Sequence, residues 1–469
     1  MMNNDIICAI STPQGNGAIA VIRLSGDESI ALTDQVFQSA GIKKLIDQPA
    51  NTIHFGTLRD GDKIIDEVVV SLFKAPRSYT GEDVVEISCH GSIYIQQQIL
   101  QLLTRKGARL AKPGEFTLRA FINGKMDLSQ AEAVADLIAS SSTTSHKVAI
   151  QQMRGGFSSE IANLRDRLLN FISLLELELD FSEEDVEFAD RKQLNDLLNT
   201  IQQLIKKLLK SFDLGNVIKN GVPVAIVGHT NVGKSTLLNK ILNEEKAIVS
   251  EIAGTTRDVI EDVINIEGVT FRFIDTAGIR DTTDTIETIG IERTYDRIAK
   301  SSIVLLLVDA TEKIDEIAQA VKKVKEKIGA TGKKLIVIVN KIDRLNDSKV
   351  EQEIDQSLNN LLDESDVRIK ISAKTGENVE KLIEELLSVV NLSALSQNEV
   401  IVTNARHYEA LEKASVALQR AIDGLNSGIT GDFLAMDIRE TLHHLGEITG
   451  EITTDEVLGN IFKNFCIGK

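Results

Sequence analysis

Cysteine is scarce: Cys8, Cys89 and Cys466 are the only three in 469 residues, and no two form a C-x-x-C pair. That scarcity argues against a disulfide framework or a cysteine-ligated zinc site and suits a reducing compartment. Long apolar runs are also missing, since nowhere do about 18 uncharged apolar residues follow one another, the length a helical membrane span needs. No basic stretch precedes an apolar one in "MMNNDIICAISTPQGNG", so no secretory signal is expected and the reading is a cytoplasmic protein with no membrane attachment. Positive charge is short as well. With 52 Lys and Arg against 69 Asp and Glu, the net charge of −17 disfavours a protein that wraps nucleic acid, because such binding neutralises phosphates with cations. Any RNA contact must be local, and the candidate patch runs through Arg105, Lys106, Arg109, Lys112, Arg119 and Lys125.

What is present is a chain long enough for two to four domains, 42% hydrophobic and 26% charged. From residue 5 to about 120, the β-branched runs "GAIAVIRLSG" and "DEVVVSLFKA" read as strands, and "IYIQQQILQLLTRKG" as a helix ending at Gly107. From about 127 to 215 the strand signal disappears; Ser129 with Glu132 reads as a capping box, and "EIANLRDRLLNFISLLELELDF" carries an apolar stripe. Residues 217 to about 385 alternate strand and helix, with "VPVAIVG", "VTFRFID", "SSIVLLLVD", "KKLIVIVN" and "VRIKIS" as buried strands of a doubly wound parallel sheet. Helical spacing returns from 404 to 465, where Thr453 and Glu456 read as a cap and Val457, Leu458, Ile461, Phe462 and Phe465 as an apolar stripe. The expected fold class is multidomain α/β plus α. Its parts are an α+β domain over 1–122, a discontinuous helical bundle over 123–215 and 386–469, and a Ras-like P-loop domain inserted at 216–385.

Between strand "VAIV" and helix "STLLNKIL" lies Gly228-His229-Thr230-Asn231-Val232-Gly233-Lys234-Ser235, a full G-x-x-x-x-G-K-S in its required context. Such a loop turns successive backbone N–H groups, with the positive end of the next helix, toward a polyphosphate; Lys234 reaches the terminal phosphates, and the Ser235 hydroxyl can ligate Mg2+. Asp275-Thr276-Ala277-Gly278 ends the next buried strand and offers a carboxylate for the metal shell. Asn340-Lys341-Ile342-Asp343 follows "LIVIV"; Asp343 can accept from both the ring N–H and the amine of guanine, which favours GTP over ATP. Ser372-Ala373-Lys374 would close over the base. After "DTAG", Ile279 stands where Ras-type proteins keep a glutamine, so the attacking water must be handled elsewhere. Arg280, Glu287, Glu292 and Arg293 follow, with Glu287 the candidate to orient the water through a bridging one.

The order "GHTNVGKS", "SEIAGTTRD", "DTAGIR", "ETIGIER", "NKID" and "SAK", in a chain that begins "ISTPQGNGAIAVIRLSG" and ends "FCIGK", resembles the MnmE (TrmE) family of tRNA modification GTPases. The N-terminal segments "SYTGEDVVEISCHG" and "KPGEFTLRAFINGKMDLSQAEAVADLI" are similar to that family too. The resemblance implies a cytoplasmic homodimer joined through the N-terminal domain. With the FAD- and NADH-dependent MnmG protein it would form a heterotetramer that places an aminomethyl or carboxymethylaminomethyl group on the wobble uridine of certain tRNAs. The one-carbon unit would come from 5,10-methylenetetrahydrofolate, with 5-formyltetrahydrofolate as an analogue. An Era-like ribosome-assembly GTPase that binds ribosomal RNA is the alternative, and it calls for basic flanks.

The same resemblance implies site residues. GTP would meet Asn231, Val232, Gly233, Lys234, Ser235 and Thr236, then Ser250, Glu251, Ile252, Ala253, Gly254, Thr255 and Thr256, together with the DTAG, NKID and SAK residues already named. K+ would be held by Asn231, Ser250, Ile252 and Thr255, and Mg2+ by Ser235 and Thr256. Folate contacts fall on Arg23, Glu86, Lys125 and Lys469. The tail residue Cys466 has the spacing of a prenylation signal, but Gly468 and Lys469 fit none, so it reads as a site thiol or a small buried residue. A docked last helix would deliver Cys466 and Lys469 to the folate pocket of the partner subunit.

Overall fold

The computed structural model describes residues 5–39, 41, 44–180, 191–242, 247–249, 262–274, 297–329, 332–345, 348–390, 400–463 and 465–468. The chain divides into two compact units, one of residues 1–138, 150–202 and 410–469 and the other of 139–149 and 203–409. Among the described residues, no helix is long and apolar enough to cross a membrane.

The first unit opens with β1 (Ile7–Ile10), β2 (Ile19–Ser25), α1 (Ser29–Asp34), β3 (Phe37–Ser39), β4 (Thr52–Asp60), β5 (Lys63–Phe73), β6 (Val84–His90), α2 (Ile93–Arg105) and β7 (Arg109–Leu110). The strands form a mixed sheet in the order β3-β4-β5-β6-β2-β1-β7. All neighbours run antiparallel except β1 and β7. Period-two alternation buries Ile22, Leu24, Val70, Leu72, Val85 and Ile87, and α2 covers them with Ile99, Leu102 and Leu103. The helix stops at Arg105, two residues before Gly107, as the spacing predicts.

Helices follow: α3 (Glu115–Ile122), α4 (Leu128–Ala139), α5 (Thr143–Met153), α6 (Gly156–Asp180) and α7 (Arg191–Asn220). The cap of α4 differs from expectation. Asp127 Oδ1 accepts from the Gln130 N–H and Gln130 Oε1 accepts from the Asp127 N–H, a reciprocal box of the same spacing set two residues before Ser129 and Glu132. Ser129 lies inside the helix and pairs with the Ser158 hydroxyl.

The second unit holds β8 (Val222–Val227), α8 (Lys234–Leu242), β9 (Ala247–Val249), β10 (Asp262–Ile266), β11 (Val269–Phe273), β12 (Ile303–Asp309), α9 (Ile314–Ile328), β13 (Lys334–Asn340), α10 (Ser348–Asn359), β14 (Val367–Lys370) and α11 (Val379–Val389). Its sheet runs β14-β13-β12-β8-β11-β10-β9. The five strands read from the sequence are its parallel part, buried on both faces by separate apolar clusters. The edge strands β10 and β9 are antiparallel, an addition that the sequence reading lacked.

The chain closes with α12 (Ala405–Asn426), α13 (Gly431–Thr449) and α14 (Asp455–Lys463). Within the first unit α6 packs on α13, and Gln202 of α7 reaches the Ser415 carbonyl and hydroxyl on α12, so helices from before and after the α/β region bury one another's faces. Thr454, rather than Thr453, caps α14 by accepting from the Val457 N–H. Phe462 and Phe465 sink against Leu128 and Ala131, with Leu458 and Ile461 half-buried beside them; Val457 stays exposed.

Candidate functional site

The phosphate loop runs from the end of β8 to the start of α8, and the positive end of a helix at such a junction is the place where backbone N–H groups receive an anion. Lys234 turns back into this loop, where its Nζ donates to the carbonyls of Gly228 (2.8 Å) and His229 (2.6 Å). Burial lowers the Lys234 ammonium from the ordinary lysine value, and the like charge of Arg297 adds to the effect. A cation held, among the described residues, by carbonyl oxygens suits an arriving anion, because phosphate oxygens offer it full charge in place of partial dipoles. Asn231 is exposed and takes the left-handed backbone at φ 62°, Val232 is buried, and Ser235 and Thr236 open α8.

Asn340, at the carboxyl end of β13, joins three loops. Its Nδ2 donates to the Val232 carbonyl at 2.7 Å, and its Oδ1 accepts from the Ala373 N–H at 2.9 Å. A Cβ on Gly233 would stand 2.3 Å from that Nδ2, and φ there is 104°, so only glycine lets the phosphate loop reach this tie. Lys341, also left-handed at φ 67°, donates to the Asn231 carbonyl at 2.7 Å and to Asp309 at 2.5 Å. Asp343 is exposed; its Oδ1 accepts from the Ser372 hydroxyl at 2.7 Å, which holds the carboxyl below its ordinary range. An ionised, oriented and solvent-facing carboxylate is what recognition of two guanine donors requires.

Asp309 is the residue the sequence reading missed. Burial alone would raise its carboxyl, but donors from Lys341 and Thr311 outweigh that and hold it low. The available signal was its register: Asp309 ends β12 directly opposite Asn340 on β13, a carboxylate closing a buried parallel strand.

A second cluster lies in the first unit. Arg23 on β2 and Glu86 on β6 are register partners, paired at 2.8 Å through Nη2 and 2.9 Å through Nε. The Tyr79 and Phe116 rings flank the Arg23 guanidinium at 5.2 and 5.7 Å. The Gly468 carbonyl accepts from Arg23 Nη1 at 3.3 Å and from the Ser11 hydroxyl at 3.1 Å. So the C-terminal tail sits on its own chain's N-terminal sheet, which corrects the expectation of delivery to a partner's pocket. Cys466 is exposed, and its carbonyl accepts from the Gly114 N–H. Lys125 donates to the Pro76 carbonyl at 2.7 Å.

The candidate RNA patch is not a row of free cations. Arg119 is buried against Asp5 and Glu82, Arg109 pairs with Asp5 and Glu115, and Arg105 pairs with Asp60. Asp5 and Glu115 are held below their ordinary values, Asp5 chiefly by the hydrogen bond from Arg109, and Glu115 by Arg109 against the upward pull of burial. The arginines of the patch are thus engaged by carboxylates of the same chain, while Lys106 and Lys112 are exposed. Ser250, Glu251, Ile252, Ala253, Gly254, Thr255, Thr256, Asp275, Thr276, Ala277, Gly278, Glu287 and Lys469 lie outside the described residues.

A family model described as the MnmE helical domain matches residues 128–466, and one described as the GTP-binding protein TrmE N-terminus matches residues 6–125. Curated relatives called tRNA modification GTPase MnmE are similar along the whole chain. The protein of Bacteroides thetaiotaomicron is 57% identical over 469 residues, that of Flavobacterium psychrophilum 56% over 472 and that of Christiangramia forsetii 55% over 481, each with all of both chains covered. These matches run through the regions on both sides of the phosphate loop, where an Era-like protein would differ, and the Era-like alternative is not favoured.

Proposed function

The chain belongs to the MnmE family of tRNA modification GTPases, an enzyme that hydrolyses GTP in tRNA modification, and from that premise we propose how its two sites divide the work. The nucleotide site takes GTP with Mg2+ on Ser235 and Thr256 and K+ on Asn231, Ser250, Ile252 and Thr255. The observation that carries this reading is Asn340, whose two amide atoms tie the phosphate loop to the loop that closes over the base. Lys234 leaves the Gly228 and His229 carbonyls for the terminal phosphates, Asp343 takes the guanine edge, and Glu287 orients the attacking water. Bound K+ supplies the positive charge that an arginine finger supplies elsewhere. Asn231 fits that duty, being exposed at the loop's rim with its own carbonyl already held by Lys341.

The N-terminal site takes a 5,10-methylenetetrahydrofolate. Glu86 accepts from the pterin's donor edge, while Arg23, Lys125 and Lys469 bind carbonyl and glutamate oxygens. Cys466, two residues before the Gly468 carbonyl that meets Arg23, is the thiol this reading assigns to the site. The protein acts as a homodimer in the cytoplasm, with MnmG, which binds FAD and takes NADH, to alkylate the wobble uridine at carbon 5. Two measurements test this: GTP turnover in K+ against Na+ buffer for wild type and Asn231→Ala, and calorimetric binding of 5-formyltetrahydrofolate. Turnover that rises in K+ only while Asn231 is present, with folate bound, is expected; equal turnover in both salts overturns the potassium role, and no folate binding overturns the second site.

A further inference from the structure

On α13, His443, His444 and Glu447 bring their ligand atoms within 4.8 Å of one another. We infer that these three side chains form a binding site for a divalent first-row transition ion of the zinc class, separate from both nucleotide and folate sites. Helical spacing explains why they meet. Positions 443 and 444 project about 100° apart, and residue 447, four past one and three past the other, lies over the gap between them. Accordingly His443 Nε2 stands 3.5 Å from Glu447 Oε1, and His444 Nδ1 stands 3.1 Å from Glu447 Oε2.

Each imidazole therefore lies about one ligand-tetrahedron edge from one oxygen of the Glu447 carboxylate, and the three ligand atoms together lie within 4.8 Å. With metal–nitrogen and metal–oxygen bonds near 2.0–2.2 Å, tetrahedral ligands sit about 3.3 Å apart. Two imidazoles and one carboxylate are the donor set that favours Zn2+, Co2+ or Ni2+ over Mg2+ or Ca2+. The outer nitrogen of His444 lies 3.9 Å from Glu440, beyond hydrogen-bond length but close enough for the carboxylate to offset a bound cation's charge. Glu440 is in turn held by Arg420 of α12, which also grips Asp437 at 2.9 Å. The two rings lie edge to face, 5.4 Å between centroids, on the same side of the helix as Glu447. His443 is half exposed, which leaves the remaining coordination positions to water.

The test uses the full chain, freed of metal by a chelator and titrated with Co2+ and then Zn2+. One equivalent of Co2+ should produce the visible bands of a tetrahedral site, lacking the thiolate charge-transfer band that Cys466 would add, and Zn2+ should displace it. The His443→Ala/His444→Ala double variant should lose that equivalent, and Glu447→Gln should bind at least tenfold more weakly. Unchanged GTP turnover certifies their fold. Should the double variant aggregate, His443→Gln, altered at an exposed position, carries the comparison. Equal numbers of equivalents in wild type and variants, or no Co2+ bands in wild type, overturn the site.

Discussion

The side-chain amide of Asn340 donates to the backbone carbonyl of Val232 at 2.7 Å across 108 residues of sequence, so the loop after β13 and the loop between β8 and α8 are tied directly to one another. Both groups are buried, and neither has water to fall back on.

Asn340→Ala therefore leaves the Val232 carbonyl and the Ala373 N–H unpaired. Each such loss costs about 1–3 kcal/mol, and GTP and GDP affinity should fall by about 10- to 100-fold. Fluorescent-nucleotide titration measures it; an unchanged Kd means the tie holds nothing in place.

Asp343→Asn replaces a double acceptor by an acceptor and a donor. GTP binding should collapse, by roughly 10⁴ if both guanine contacts are lost, and xanthosine triphosphate, which carries an oxygen where guanine carries its amine, should become the better ligand. Competition between the two nucleotides decides it, and retained preference for GTP assigns the base contact to another residue.

Gly468→Ala sets a Cβ 2.3 Å from the Ile10 carbonyl at φ 94°, a backbone clash that no rotamer relieves. The tail should leave Arg23 and Ser11, and 5-formyltetrahydrofolate should bind about tenfold more weakly at a cost of about 1.4 kcal/mol. Nucleotide affinity serves as the check on folding. Carboxypeptidase release of the C-terminal residues should accelerate in parallel.

Burial pushes the Cys8 and Cys89 thiols up to about 11, while Cys466 is exposed. Iodoacetamide at pH 8 should label one thiol per chain, and peptide mapping should place it at Cys466. A thiol whose folded pKa is raised stabilises the fold fully below the unfolded pKa and loses that contribution as pH climbs toward the folded one. Labelling of the other two, and the loss of stability, should therefore begin above about pH 9 and be complete near pH 11. Three labels at pH 8 contradict the burial.

The glycine turn between β8 and α8, the loop after β13 and the parallel strands were legible in the sequence because each is a local device. A glycine spacing, a helix start and an apolar run of strand length act over a few residues, so the chain states them directly. Cap positions slipped by a residue or two, to Asp127 and Thr454, since neighbouring polar residues compete for the same N–H groups on nearly equal terms.

What only tertiary structure decided are the partners of charges. Arg23 meets Glu86 because β2 and β6 align in register, and Arg105, Arg109 and Arg119 pair with Asp60, Asp5 and Glu82, residues distant in sequence. The last turn of chain lies on the first sheet, 445 residues from Arg23. An ionic side chain pairs with whatever the fold brings within a few ångströms, and sequence spacing holds no record of that distance.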